Sequence, residues 1–170
     1  SAWAESLAMA LGGRKCYIAT MEPFGEEAEI RIQHHRNARR EKGFQTAEIY
    51  TGMAHSVGTL CCDTALLECM TNWMANEMYS PSGAGKDALG AVKKGIDALC
   101  AAVSNLVVVS GDLFCEGLDY GPYTGEYLEN LAEISRCLSA RADLVVELCC
   151  GIPIVHRHND VGRAWLEKMA

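Results

Sequence analysis

The feature that most constrains the fold is an amphipathic helix pattern followed at once by an apolar strand pattern. From Ala88 to Val103 the apolar residues recur at intervals of three and four, which is the spacing of one helix face. The next segment, Asn105 to Gly111, is a continuous run of apolar, β-branched residues, typical of a strand buried on both faces. Such strands occur mainly in parallel sheets that helices cover on both sides. The sequence therefore predicts an α/β fold with a mostly parallel sheet.

The same alternation recurs along the chain. Further strands are predicted over Lys15 to Thr20, Phe44 to Tyr50, Thr64 to Cys69 and Asp143 to Val155. Further helices are predicted over Ser1 to Leu11, Glu26 to Arg40 and Asn72 to Tyr79, and from a cap at Thr124 onward. The last of these has Tyr127, Leu131, Ile134 and Leu138 on one face. We expect one α/β domain over residues 1–155 and an appended helical tail over residues 156–170.

Composition narrows the class of protein. The chain has 170 residues and a formal net charge of −7, so its surface as a whole repels nucleic acid and anionic membranes. No apolar run reaches the ~20 residues that span a bilayer, and no signal peptide pattern opens the sequence. We expect a cytoplasmic protein with no membrane span and no nucleic-acid partner.

Nine cysteines suggest a metal or redox protein as one alternative. They include two adjacent pairs but no C-x-x-C motif, so the usual zinc and redox spacings are missing. Several lie inside apolar runs, where a free cysteine behaves as a small buried hydrophobe. Structural packing is the favoured interpretation.

Two adjacent histidines, His34 and His35, lie among arginines in the predicted helix Glu26 to Arg40. At helical spacing, His35 shares a face with Arg31 and Arg39. Guanidinium groups repel a metal cation and bind phosphate, and they also disfavour protonation of a neighbouring imidazole. The pattern indicates a nucleophilic or phosphate-contacting histidine; the alternative is a charged helix face that only meets water.

An acid and a glycine-rich loop are two further candidate features. Glu68 follows a buried apolar run, at the strand end where open α/β sheets bind ligands, and could hold a nucleotide-bound Mg²⁺. The alternative is an acid that meets solvent. The fragment Gly83 to Lys86 resembles part of a Walker A loop, but it follows a helix and precedes Asp87 instead of Ser or Thr. We expect an ordinary flexible loop there.

In their order, these motifs resemble the bifunctional adenosylcobinamide kinase/adenosylcobinamide-phosphate guanylyltransferase family of cobalamin assembly. The matching segments are Tyr17 to Thr20, Arg31 to Arg39, Thr46 to Glu48, Leu66 to Thr71 and Gly151 to Pro153. The resemblance implies a P-loop NTPase-like (RecA-like) fold. It also implies a kinase that phosphorylates adenosylcobinamide with ATP or GTP, and a transferase that moves GMP from GTP onto that phosphate through a guanylylated histidine. Mg²⁺ and a homotrimer are implied as well.

The resemblance also implies roles for individual residues. The nucleophile matches His35, with His34 as the alternative. Nucleotide-binding positions match Ser1, Thr20, Met21, Glu22, Arg36, Asn37, Ala38, Arg39, Glu48 and Glu68, and the metal positions match Ser1 and Glu68.

The chain departs from the family pattern in two places. Only Ser1 to Glu5 matches the end of the family's phosphate loop, so the first strand and most of the loop have no counterpart in this sequence. Either this sequence is a truncated one, or the protein is impaired as a kinase. Gly111 to Phe114 replaces the family's Asn-Glu-Val-Gly run. A nucleotide- or phosphate-binding protein of the same fold, with impaired or no kinase activity, is therefore the alternative function.

Overall fold

A computed structural model describes residues 2–23, 41–114 and 121–169 of the chain. Its helices are α1 (Ala2–Leu11), α2 (Met53–Ser56), α3 (Met70–Tyr79), α4 (Ala88–Ala102), α5 (Pro122–Arg141) and α6 (Asp160–Met169). Its strands are β1 (Lys15–Ala19), β2 (Phe44–Glu48), β3 (Thr64–Glu68), β4 (Asn105–Val109), β5 (Leu144–Cys149) and β6 (Ile152–His158).

Four parallel strands form the central sheet, in the order β2-β1-β3-β4. Helices cover both of its faces, as the sequence predicted, and the architecture is that of a P-loop NTPase-like α/β fold. The register places Ala19 of β1 opposite Glu48 of β2 on one side and Glu68 of β3 on the other. Three strands therefore end at the same level.

The two faces of the sheet carry different cores because successive side chains of a strand point to opposite sides. Cys16 and Ile18 of β1 pack into the larger core, which α2, α3, α4 and α5 complete. Tyr17, between them, packs on the other face, in a smaller core with Ala4 and Ala8 of α1. Among the described helices, only α1 contributes residues to this smaller core.

Helix α5 differs from prediction at its start and agrees with it on its buried face. It begins at Pro122 with Gly121 as its cap residue, so Thr124 lies inside the first turn and does not cap the helix. Proline is well suited to the first turn because its missing N–H would have no helical partner there. Further along, the predicted face is confirmed: Leu131 and Ile134 are fully buried in the larger core.

The segment Asp143 to Val155, predicted as one strand, is instead a β-hairpin. Strands β5 and β6 pair antiparallel and form a separate two-stranded sheet. The chain reverses at Cys150 and Gly151, whose φ angles are 51° and 83°, both in the left-handed region. Residues 156–158, expected in the helical tail, complete β6, and the helix itself is α6, which contacts α1.

Two other predictions concern single segments. The loop between α3 and α4, expected to be flexible, is anchored: the backbone N of Ala84 donates a hydrogen bond to Glu77 Oε2 at 3.2 Å. It follows a helix, so it lacks the strand context of a Walker A loop. The predicted helix Glu26 to Arg40 lies outside the described residues. Across the parts of the chain that are described, no helix is both long and apolar enough to span a bilayer.

Candidate functional site at the carboxyl edge of the sheet

The candidate site lies where the parallel strands end. Glu48 and Glu68 occupy the last positions of β2 and β3, in register with Ala19. Leu66, two residues before Glu68, packs against α1, so the Glu68 side chain leaves the sheet on the face that α1 covers. Both predicted acids therefore lie at one edge of the sheet.

Helix α1 points its N-terminus toward the same edge. Its C-terminal end lies beside the start of β3, because Thr64 Oγ1 donates a hydrogen bond of 2.8 Å to the carbonyl of Gly12. Since α1 runs back along β3 and β4, its first residues lie near the strand ends. A helix N-terminus carries partial positive charge and unpaired N–H groups, which favour an anion such as phosphate.

The Glu68 carboxylate has an unusual environment. Its Oε2 atom is buried and has no hydrogen-bond partner, the one buried side-chain oxygen or nitrogen of this kind within the described residues. A buried carboxylate oxygen without a partner is costly, on the order of 1–3 kcal/mol or more. Mg²⁺ prefers such oxygen ligands, so this carboxylate fits the cation that the resemblance in sequence motifs implied.

Thr20 follows β1 directly and is fully buried. Its Oγ1 donates a hydrogen bond to the carbonyl of Cys69 at 2.8 Å and accepts one from the Cys69 backbone N at 2.7 Å. Its own backbone N donates to the carbonyl of Glu68 at 3.1 Å. Thr20 therefore ties the end of β1 to the residues at the end of β3.

Asn76 extends this connection to β2. Its Nδ2 atom donates to the carbonyl of Thr20 at 2.7 Å and to the carbonyl of Tyr50 at 3.1 Å. Asn76 belongs to α3, the helix that begins one residue after Cys69. One amide side chain thus joins the segments that follow β1 and β2, and the loops at this edge share a common support.

Met21 and Glu22 continue the segment after Thr20 and are half-buried. The carboxylate of Glu22 accepts a hydrogen bond of 3.0 Å from Ser80 Oγ. Ser80 Oγ lies 3.4 Å from Ser82 Oγ, and Ser82 Oγ lies 3.1 Å from Thr51 Oγ1. This chain of hydroxyl groups connects the β1 loop to the loops after β2 and α3.

Glu77 is a buried acid that the sequence patterns did not single out. Only 2% of it is exposed, and its carboxylate accepts hydrogen bonds from three N–H groups. Oε1 receives the backbone N of Gly52 at 2.8 Å and Trp73 Nε1 at 3.1 Å, and Oε2 receives Ala84 N. These donors belong to two loops and to the core, and Glu77 holds all three in place. Because Glu77 is buried, its role is to support these segments and not to contact a ligand. Its signal in the sequence was an acid on the apolar face of a helix.

The structure thus brings Thr20, Met21, Glu22, Glu48 and Glu68 to the carboxyl edge of the sheet. The remaining predicted site residues, Ser1, His34, His35, Arg36, Asn37, Ala38 and Arg39, lie outside the described residues.

Of the described cysteines, Cys16 and Cys62 are buried, Cys69 and Cys137 are half-buried, and the exposed ones are Cys61, Cys100, Cys149 and Cys150. Cys16 and Cys62 belong to the larger core, as predicted for packing residues, and burial raises the pKa of the Cys16 thiol to about 12. Cys149 and Cys150, in contrast, are exposed near the hairpin turn, so packing does not explain them. Within the described ranges, no cluster of three or more His, Cys, Asp or Glu residues forms a metal site.

Comparison with protein-family models gives a match over residues 1–156 of the 170-residue chain. The matching family is described as cobinamide kinase / cobinamide phosphate guanyltransferase. A search of curated proteins finds no match. The family match covers every element described above except α6 and the last residues of β6.

Proposed function

Because the chain belongs to the cobinamide kinase / cobinamide phosphate guanyltransferase family, we propose that it transfers GMP from GTP to adenosylcobinamide phosphate through a histidine intermediate. The family acts in cobalamin biosynthesis. The description of the family names a kinase acting on cobinamide and a guanyltransferase acting on cobinamide phosphate. The proposal for this chain concerns the second reaction, the nucleotide that it uses and the residues that carry it out.

The observation that best supports a nucleotide site is the buried, unpartnered Oε2 of Glu68 at the carboxyl edge of the sheet. Open parallel sheets bind ligands at this edge. The N-terminus of α1 approaches the same place and favours the phosphate groups of a nucleotide. A bound Mg²⁺ would neutralise charge on those phosphates, and Glu68 would be its protein ligand.

In the proposed reaction, His35 is the nucleophile. One imidazole nitrogen attacks the α-phosphorus of GTP; a P–N bond forms, the bond to the β-phosphate oxygen breaks, and pyrophosphate leaves. A phosphate oxygen of adenosylcobinamide phosphate then attacks the same phosphorus, the P–N bond breaks, and His35 is regenerated as adenosylcobinamide-GDP forms. Arg36 and Arg39 stabilise the negative charge on the transferring group.

Five further predicted residues hold the nucleotide in this proposal. Met21, Glu22 and Glu48 line the edge at which the strands end, and Asn37 and Ala38 belong to the segment that carries the nucleophile. The carboxylate of Glu22 is held by Ser80, so its position relative to the sheet is fixed before a ligand binds. A carboxylate held in this way loses less side-chain freedom when a nucleotide binds.

The proposal is tested by incubating the protein with GTP labelled on the α-phosphate. We expect a covalent adduct that is labile in acid and stable in alkali, as a phosphoramidate is. The adduct should be lost in His35→Ala and retained in the adjacent control His34→Ala. Adding adenosylcobinamide phosphate should discharge the label into product.

Two outcomes would contradict the proposal. Equal labelling of His35→Ala and the parent protein would remove His35 from the reaction. Tight GTP binding with no covalent label would indicate a nucleotide-binding protein without turnover, which is the alternative function.

A further inference from the structure

We propose that Thr20 is a positioning residue that fixes the Glu68 carboxylate, and that its hydroxyl makes no contact with the nucleotide. The inference rests on the proposed nucleotide site at Glu68. It departs from the role that the family resemblance implied for Thr20, which was direct nucleotide binding. The reason is that the hydrogen-bonding groups of Thr20 are already used inside the protein.

A threonine hydroxyl has one donor and two acceptor positions. In Thr20 the donor is used on the Cys69 carbonyl, and one acceptor position is used on the Cys69 N–H. The backbone N–H bonds to Glu68 and the backbone carbonyl bonds to Asn76. Because the residue has no exposed surface, a ligand in solution does not reach the remaining lone pair.

These bonds act on Glu68 through its own carbonyl and through the residue that follows it. Thr20 N holds the carbonyl of Glu68, and Thr20 Oγ1 holds both polar backbone groups of the next residue, Cys69. Glu68 Oε2 has no hydrogen bond of its own that would fix its place. The position of this oxygen therefore depends on the backbone that Thr20 clamps.

Removing only the hydroxyl breaks that clamp. In Thr20→Val the side chain keeps its shape, but the Cys69 N–H loses its acceptor in a part-buried place. The Cys69 carbonyl keeps one bond, because Trp73 N also donates to it at 3.1 Å as the first turn of α3 begins. We expect the end of β3 to shift as the Cys69 N–H finds a new partner, and the Glu68 carboxylate to shift with it.

The test is a Mg²⁺ titration of GTP binding to the parent protein, Thr20→Val and Thr20→Ser, which keeps the hydroxyl. Residues that orient a metal ligand typically change metal affinity by about 10–100-fold when they are removed. We expect Thr20→Val to raise the Mg²⁺ concentration for half-maximal GTP binding by about that factor, and Thr20→Ser to restore it. GTP binding in EDTA should be the same in all three proteins.

A double-mutant cycle with Glu68→Gln separates positioning from direct contact. If Thr20 acts through Glu68, Thr20→Val has no further effect in the Glu68→Gln background. If the hydroxyl contacts the nucleotide, Thr20→Val weakens binding equally with Mg²⁺, with EDTA and in the Glu68→Gln background, and the inference is overturned. Should Thr20→Val fail to fold, Thr20→Cys replaces it, because a thiol is only a weak donor and acceptor.

Crystal structures of the parent protein and Thr20→Val distinguish failure of this inference from failure of the proposed function. A parent protein that binds no GTP contradicts the proposed function. The positioning role is then judged by the coordinates alone: we expect the Glu68 carboxylate to move while the β1–β2 pairing stays in place. An unmoved carboxylate overturns the positioning role whatever the protein binds.

Discussion

Replacing the buried Glu77 should lower the free energy of unfolding by an amount that depends on how many hydrogen bonds the new side chain keeps. The carboxylate accepts three N–H groups: Gly52 and Trp73 bond to Oε1, and Ala84 bonds to Oε2. Glutamine can place its single oxygen where Oε1 lies and keep two of these bonds. Methionine has a similar length and keeps none.

The magnitudes follow from the burial of the three donors. Trp73 Nε1 is buried, so leaving it unpaired costs about 1–3 kcal/mol. The Gly52 and Ala84 amides are part-buried, and water can replace part of what each loses, so each contributes about 0.5–1.5 kcal/mol. We therefore expect Glu77→Met to destabilise the protein by about 2–6 kcal/mol and Glu77→Gln by about 0.5–1.5 kcal/mol.

Urea titration followed by circular dichroism measures both values, with unchanged m-values as the sign that unfolding remains two-state. The control is Glu129→Gln on the exposed face of α5, for which we expect a change within about 0.5 kcal/mol. Hydrogen exchange adds a local measurement. The amides of Gly52 and Ala84 should lose protection in Glu77→Met, because the acceptor that holds them is gone.

Equal stability of Glu77→Gln and Glu77→Met would refute this reasoning, since it predicts that the number of retained acceptors sets the loss. A Glu77→Met variant as stable as the parent would refute it more strongly. It would show that the three donors find other partners without cost.

Two further predictions concern packing and charge. Gly95→Ala should destabilise the protein by about 1–3 kcal/mol, because the added Cβ would lie 2.6 Å from Cζ2 of Trp73; unchanged stability in urea titration would contradict this. Lys93, at 2.9 Å, and Arg136, at 2.7 Å, together lower the pKa of the half-buried Glu133 from 4.5 to about 2. The stability that these two ion pairs contribute is present above about pH 4.5 and is lost as the pH falls toward 2, so Glu133→Gln should destabilise more at pH 7 than at pH 3. An equal effect at both pH values would exclude the ion pairs as its cause.

The regular part of the fold was predictable because burial leaves a periodic pattern. The run Asn105 to Val109 and the stripe of α4 specify a parallel strand and its covering helix without any knowledge of distant contacts. The same logic placed Glu68 at the end of a strand. Its lack of a hydrogen-bond partner was not predictable, because it depends on which groups the fold brings near the carboxylate.

The hairpin was missed for an identifiable reason. The apolar residues of β5 and β6 follow one another with only Cys150 and Gly151 between them, so the sequence reads as one long apolar strand. Glycine often adopts the left-handed conformation that a tight turn needs, but cysteine rarely does. Gly151 and the nearby Pro153 were therefore the local signals of an interruption, and the apolar run outweighed them.

The role of Thr20 shows a different limit of prediction. A threonine after a buried strand is compatible with ligand binding, with capping and with internal hydrogen bonding. Choosing among these requires the position of Cys69, which lies 49 residues further along the chain. Support between distant segments, such as that given by Asn76 and Glu77, is not encoded in any short motif.

The small size of Ala19 has a geometric consequence for the two acids beside it. Neighbouring strands lie about 4.8 Å apart, so the Cα atoms of Glu48 and Glu68 are roughly 10 Å from each other, with β1 between them. The β1 residue between them, Ala19, contributes only a methyl group. Both glutamate side chains can therefore extend toward one ligand bound above β1. A leucine at position 19 would fill the space between them and keep the two acids from reaching the same ligand.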